Sequence, residues 1–302
     1  MRHLFTAFML LLGFAVGDLV SAGERTTLGF GRNFNNDAIG DGADRWRSGS
    51  YTVSYVRGSG WDGALPEAFG DILEMRLRSE VITADNTVTP AAGDRRYAGV
   101  FSMGLHTHFG DVNREFSLGA DLVATGPMTG VGRLQTALHD VFGQPTPDTS
   151  NQLGNALYPT LSFEMGSVHD RGGLRFRPFV AAQAGVESYI RIGGDLIIGE
   201  AVSGDLLLRD DVTGQFYRGV RGEVRPGASL VVGADIARVF DSYYLPSSDG
   251  YSLTDFRGRY RAGVHWQGEK SSLFYGVTWL TPEFAAQGQG QAVGSLQLDL
   301  EF

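Results

Sequence analysis

The 302-residue sequence contains no cysteine. That absence excludes a disulfide-stapled secreted domain, a thiolate zinc site and a cysteine nucleophile. Basic residues are in deficit, 25 Lys and Arg against 34 Asp and Glu, for a formal charge of -9 and a pI near 5.1. The chain therefore lacks the basic face that general nucleic-acid binding needs. Lysine is nearly missing, Lys270 being the only one, and prolines number ten. Beyond the N-terminus no apolar run approaches the roughly 20 residues of a spanning helix. What is present is 42% apolar residues, too many for a disordered chain, and 43 glycines without a collagen period.

The N-terminus reads as an export signal. Arg2 and His3 precede the apolar stretch Leu4–Val16, and Val20-Ser21-Ala22 ends in small residues. This is the charged, apolar and small-residue order of a secretory signal peptide, so cleavage is expected after Ala22. Residues 1–22 form the signal and 23–302 a single exported domain that is periplasmic, secreted or an outer-membrane barrel.

Periodicity decides among these. Leu73, Met75, Leu77 and Val81 alternate with Glu74, Arg76, Arg78 and Glu80; Phe101, Met103 and Leu105 alternate with Ser102, Gly104 and His106. Period two is a strand with one apolar and one polar face. The strands are long for a soluble sheet, where about 5–6 residues is usual, and match the roughly 9–11 that a tilted membrane strand requires. A closed barrel satisfies its backbone inside lipid and turns its apolar side chains outward. Its lumen tolerates the charged ladder of residues 74–80, which would be costly in a dry core. Leu296, Leu298, Leu300 and Phe302 share one face of the last segment, which resembles the terminal recognition strand of bacterial outer-membrane proteins.

The expectation is an all-β transmembrane antiparallel barrel in the bacterial outer membrane, read as a monomer. About twelve strands lie near 27–34, 49–57, 71–83, 97–109, 114–126, 157–166, 176–186, 188–200, 227–239, 255–266, 272–281 and 293–302. Residues 201–226 fit either a long turn or a further hairpin. With both termini in the periplasm, 35–48, 84–96 and 127–156 become extracellular loops, where binding or chemistry is to be sought. The third carries Leu134–Phe142, spaced for a short helix on which Gln135 and His139 share a face.

These loops contain Asn35-Asn36-Asp37, then Asp44-Arg45-Trp46-Arg47-Ser48-Gly49, then Asp94-Arg95-Arg96-Tyr97-Ala98-Gly99, then Gln135 and His139; Thr278-Trp279-Leu280-Thr281-Pro282-Glu283-Phe284 follows near the C-terminus. Their order and spacing over the mature chain resemble the outer-membrane lipid A 3′-O-deacylases. The resemblance implies a twelve-stranded barrel that removes the 3′-linked acyloxyacyl group of lipid A at its outer rim, with calcium or another divalent cation. It maps the family's Asn-Asp pair onto Asn36 and Asp37, its histidine onto His139 and its hydroxyl residue onto Ser48. The sequence departs from the family in lacking the Asn beside that hydroxyl and the second-loop lysine.

Residue chemistry gives the implied roles content. Ester hydrolysis needs a base, a charge stabiliser at the oxyanion and a means of positioning the ester. His139 accepts a proton near neutral pH, and Asn36 and Asp37 offer hard oxygens to calcium, which would polarise the carbonyl. Ser48 either orients water or is itself the nucleophile; with no evident carboxylate to orient His139, activated water is preferred. Arg45, Arg95 and Gln135 are candidates for substrate binding, arginine suiting phosphate, while Asp44-Arg45 and Asp94-Arg95 read as rim ion pairs. An Asn-Asp pair in a glycine-rich loop also suits an ordinary turn. His106 and His108 read as lumen packing. The expected partners are lipid A or lipopolysaccharide and the outer-membrane bilayer. Competing classes are a phospholipase A-like outer-membrane lipase, whose serine motif Val168-His169-Asp170-Arg171 does not match, and a non-enzymatic pore or adhesin.

Overall fold

Alternation of the kind seen in 73–81 forces one face of each strand into lipid and the other inward, and the strands accordingly close on themselves. The computed structural model describes residues 25–300; the expected signal peptide with its cleavage point, and the terminal Phe302, lie outside the described residues. The strands are β1 (Thr26–Asn36), β2 (Arg47–Gly58), β3 (Ile72–Ile82), β4 (Ala98–Gly110), β5 (Arg114–Thr125), β6 (Ala156–Ser167), β7 (His169–Asp170), β8 (Leu174–Ala184), β9 (Glu187–Ile198), β10 (Leu206–Arg209), β11 (Phe216–Val220), β12 (Gly227–Ser242), β13 (Arg257–Gln267), β14 (Ser271–Leu280) and β15 (Gln291–Leu300). All but β7, β10 and β11 form a closed antiparallel barrel of twelve strands, β1 pairing with β15 and β6 with β8. Each of the twelve expected segments is one of these strands.

Side-chain parity follows the pleat. On β3, Glu74, Arg76, Arg78 and Glu80 are buried in the lumen, while Met75 and Leu77 are exposed on the outer wall beside Phe101 and Met103 of β4. The lumenal charges are paired: Arg47 Nη1 with Glu80 at 2.7 Å, Arg209 with Glu164 at 2.7 Å and Asp195 at 2.8 Å, and Arg259 with Asp235 at 2.9 Å. Pairing of this kind makes interior charge tolerable, since a buried ion is stable only with a close counter-ion and its hydrogen bonds filled.

Residues 201–226 resolve as the further hairpin. β10 and β11 pair with each other, apart from the barrel wall, and fold back into the lumen against β1. Gly31 permits this approach, because a Cβ there would stand 3.0 Å from the Tyr217 ring. The hairpin tip donates from Gln215 Nε2 to the carbonyls of Ala262 and Val277, both at 3.2 Å. Leu206, Leu208, Tyr217 and Val220 pack with Val56 and Ile72 of the wall at one end of the barrel. Long loops gather at the opposite end, and α1 (Val131–Phe142) lies among them.

Candidate active site at the loop end

The site begins where β1 stops. Asn36 keeps extended backbone and caps a 3-10 turn, Asp37–Ile39, its Oδ1 accepting from the Ala38 N–H at 2.8 Å. Facing it on β2 is Gly49, where a Cβ would stand 2.9 Å from Asn36 Nδ2. The turn buries Asp37, which is 1% exposed, and its Oδ2 accepts from the Arg45 backbone N–H at 2.7 Å. The Arg45 guanidinium goes elsewhere, to Asp41 at 3.0 Å and Asp85 at 3.4 Å. Burial, with the charges of Asp44 and Asp41 adding to it, pushes the Asp37 carboxyl up to about 8.

The loop returns to β2 through a strained residue. Trp46 has φ +49, a left-handed conformation that costs a bulky side chain energy. Next to it the β2–β3 register slips between Arg47 and Gly49, leaving Ser48 as the extra residue of a bulge. Bulges re-aim side chains. Here Arg47 and Ser48 are both buried, Arg47 reaching into the lumen to Glu283 at 2.7 Å, while the Ser48 hydroxyl donates to Asp44 Oδ1 at 2.5 Å.

The helix brings in the base. α1 runs between Gly130 and Gly143, both left-handed, and buries Val131 and Gln135. One turn after Gln135, His139 donates from Nδ1 to the Pro145 carbonyl at 2.7 Å. A carbonyl can only accept, so Nδ1 carries the proton and, in the neutral ring, Nε2 holds the lone pair. Nε2 stands 3.6 Å from Asp44 Oδ2. Asp44 thus meets Ser48 with one oxygen and His139 with the other. Through Asp44 and Arg45 the four residues Asn36, Asp37, Ser48 and His139 belong to one cluster.

Four buried polar atoms in or beside it have no hydrogen-bond partner among the described residues: the Tyr97 hydroxyl, Gln135 Oε1, the Trp46 indole Nε1 and Arg45 Nε. Tyr97 lies under α1, where a Cβ on Gly132 would be 3.4 Å from its hydroxyl. Burial and the Asp44 charge hold that phenol above its ordinary range.

Several expectations need correction. Asp44-Arg45 and Asp94-Arg95 are not ion pairs, because each guanidinium pairs with a carboxylate elsewhere, Arg45 with Asp41 and Asp85 and Arg95 with Glu283. Asp44 turns to Ser48 and His139. Asp94 accepts from the backbone N–H groups of Asp85 and Arg95, both at 2.7 Å, while the Arg95 guanidinium is fully buried against Glu283 at 2.9 Å. Arg45 stacks on the Trp46 ring at 4.5 Å. A carboxylate does stand beside His139, and Asp44 four residues before Ser48 was its only signal in the sequence. His106 and His108 stay in the lumen, against Asp121 at 3.3 Å and Glu74 at 2.8 Å.

The donor chemistry suits a hard cation. Asn36 and Asp37 carry side-chain oxygens close to the charges of Asp41 and Asp44, and calcium takes 6–8 oxygen ligands. Among the described residues no three His, Asp or Glu side chains converge on one point, so most of that shell would fall to backbone carbonyls, solvent and substrate.

The family model described as "Outer membrane protein LpxR" matches residues 4–302. Among solved structures, LpxR from Salmonella typhimurium is similar at a TM-score of 0.74 and 19% identity, over 91% of this chain and 100% of that one. The beta domain of the Bordetella autotransporter BrkA aligns at a TM-score of 0.41 and 11% identity, over 91% and 99%. No curated protein sequence matches the chain.

Proposed function

Because the chain belongs to the LpxR family of outer membrane proteins, we propose that it is a lipid A deacylase that removes the 3′-linked acyloxyacyl group at the outer rim, using water activated by His139. The observation that supports this reading most is the His139 geometry. Its Nδ1–H is fixed on the Pro145 carbonyl, which leaves the Nε2 lone pair facing the Asp44–Ser48 pair.

In this mechanism His139 Nε2 takes a proton from water as the oxygen adds to the ester carbonyl carbon. The Asp44 carboxylate stabilises the imidazolium that forms, and the imidazolium then protonates the departing 3′-oxygen. Asn36 and Asp37 would hold the divalent cation, calcium by donor type, which when bound polarises the ester carbonyl. Ser48 is the weaker candidate for nucleophile, because its hydroxyl proton is directed to Asp44, a poor base, and not to His139. Its role in this reading is to hold Asp44 in place. Arg45 and Gln135 remain candidates for positioning lipid A, whereas Arg95, fully buried against Glu283, does not reach the substrate and holds its loop beneath the rim.

Mass analysis of lipid A from cells expressing the chain tests the proposal. Loss of the 3′ acyloxyacyl mass is expected, and its abolition by chelation, with His139→Ala slower by about 10²–10⁴-fold and Ser48→Ala still active. Unchanged lipid A, or release of phospholipid acyl chains instead, would overturn the reading. A covalent acyl adduct on Ser48 would replace water by serine as nucleophile.

A further inference from the structure

A buried hydroxyl nearly always has a hydrogen-bond partner, and that of Tyr97 has none among the described residues. The residue is 5% exposed and its backbone is fixed, the carbonyl accepting from Leu153 N–H at 2.8 Å. Above the hydroxyl lies Gly132, so at that point α1 covers it with backbone and no side chain. One turn on, on the same helix face, come Gln135, with its own unpartnered oxygen, and then His139. Burial, with the Asp44 charge adding to it, keeps the phenol protonated, so its O–H can donate when an acceptor arrives.

We propose that the Tyr97 hydroxyl is an oxyanion donor for the ester cleavage, aimed at the scissile carbonyl oxygen. The inference rests on the deacylase reading above. Water adds to the carbonyl carbon and gives its proton to His139 Nε2, and the carbonyl π pair moves onto oxygen. That oxyanion accepts the hydrogen bond from Tyr97. On collapse the C=O bond reforms, the bond to the sugar 3′-oxygen breaks, and this oxygen takes the proton from His139. Tyr97 neither gains nor loses a proton. An unpartnered donor in the resting protein is free to bind the charge that develops, without first giving up an existing bond.

The same feature separates catalysis from support. A hydroxyl that held the fold together would have a partner, and its removal would lower stability. Tyr97→Phe keeps the ring packing and removes only an unsatisfied polar atom. With lipid A in detergent micelles and calcium, the purified Tyr97→Phe barrel should lose about 10²–10³-fold in kcat with KM little changed. Its thermal unfolding midpoint should be equal to wild type or higher. Wild-type kcat in the variant overturns the proposal, and so does a fall in kcat that comes with a lowered midpoint. If the wild-type barrel releases no acyl chain from lipid A, the deacylase reading fails and this inference with it; an active wild type beside an unaffected variant removes the role of Tyr97 alone.

Discussion

Asp37 is a carboxyl in a place that disfavours its charge. It is buried, supported by the backbone N–H groups of Arg45 and of Asp37 itself, and two further carboxylates stand near. Its folded value of about 8 lies above the ordinary carboxylate range, so its neutral form suits the metal-free fold. The sign follows from linkage: stability from this group is fully present at acid pH, below its unfolded value, and is lost as pH rises through about 8. A cation there requires the carboxylate and must displace the proton. Calcium affinity should therefore fall about tenfold per pH unit below that value. In chelator, wild type should lose unfolding midpoint between pH 5 and pH 9 relative to Asp37→Asn, which cannot ionise. Parallel pH profiles for the two proteins would show that Asp37 is not the group that titrates. The positions Asn36, Asp37, Ser48 and His139 were singled out in the sequence by the family resemblance, as polar residues of two loops, 35–48 and 127–156. The Asp44 bridge was not, because it depends on a bulge at Ser48 and a left-handed Trp46 that period-two reading does not see.

The strands were readable for the opposite reason: alternation is a local property, and β3 and β4 each display both faces in a dozen residues. The segment Thr278–Phe284 stood out in the sequence without a stated task. In the fold it ends β14 and delivers Glu283 beneath the rim, where its carboxylate bonds Arg47 at 2.7 Å and Arg95 at 2.9 Å. These arginines come from the elements that carry Ser48 and Tyr97, so one carboxylate ties together two loops that are distant in sequence. Glu283→Gln leaves two buried guanidinium groups short of charge. Breaking a buried pair in this way costs about 3–5 kcal/mol. The variant should unfold at lower denaturant than wild type and should lose activity through displacement of Ser48 and Tyr97. Unchanged unfolding would mean that Glu80 and Glu187, the other partners of Arg47, suffice.

On the scale of the whole molecule, a barrel with an apolar outside and a charged inside has the composition of a pore, yet the β10–β11 hairpin occupies its interior. The sequence left 201–226 open between turn and hairpin because nothing local in those residues says that they enter the lumen; the fit depends on glycine at position 31 of a distant strand. Once inside, the hairpin is held at several heights: Arg218 to Ser272 at 2.9 Å, Arg209 to Glu164 at 2.7 Å, and Thr213 to Ser295 at 3.4 Å. Ser295 in turn donates to Asn35 at 2.6 Å, directly before the Asn36–Asp37 pair, so the plug also braces the strand end that carries the site. A plug in this position is expected to seal the bilayer and to keep the proposed chemistry at the rim. In planar bilayers the wild-type barrel should therefore pass no steady ion current. Gly204 and Gly222 already meet backbone to backbone, so residues 205–221 can be replaced by a short glycine linker without stretching the wall. That deletion should produce discrete channel openings. Its barrel should remain heat-modifiable on gels, and its deacylation should be weakened by the loss of the Thr213–Ser295 contact beneath Asn35. Porin-like conductance from the wild type, or a deletion that stays as silent as its parent, would mean that the hairpin is not what closes the lumen.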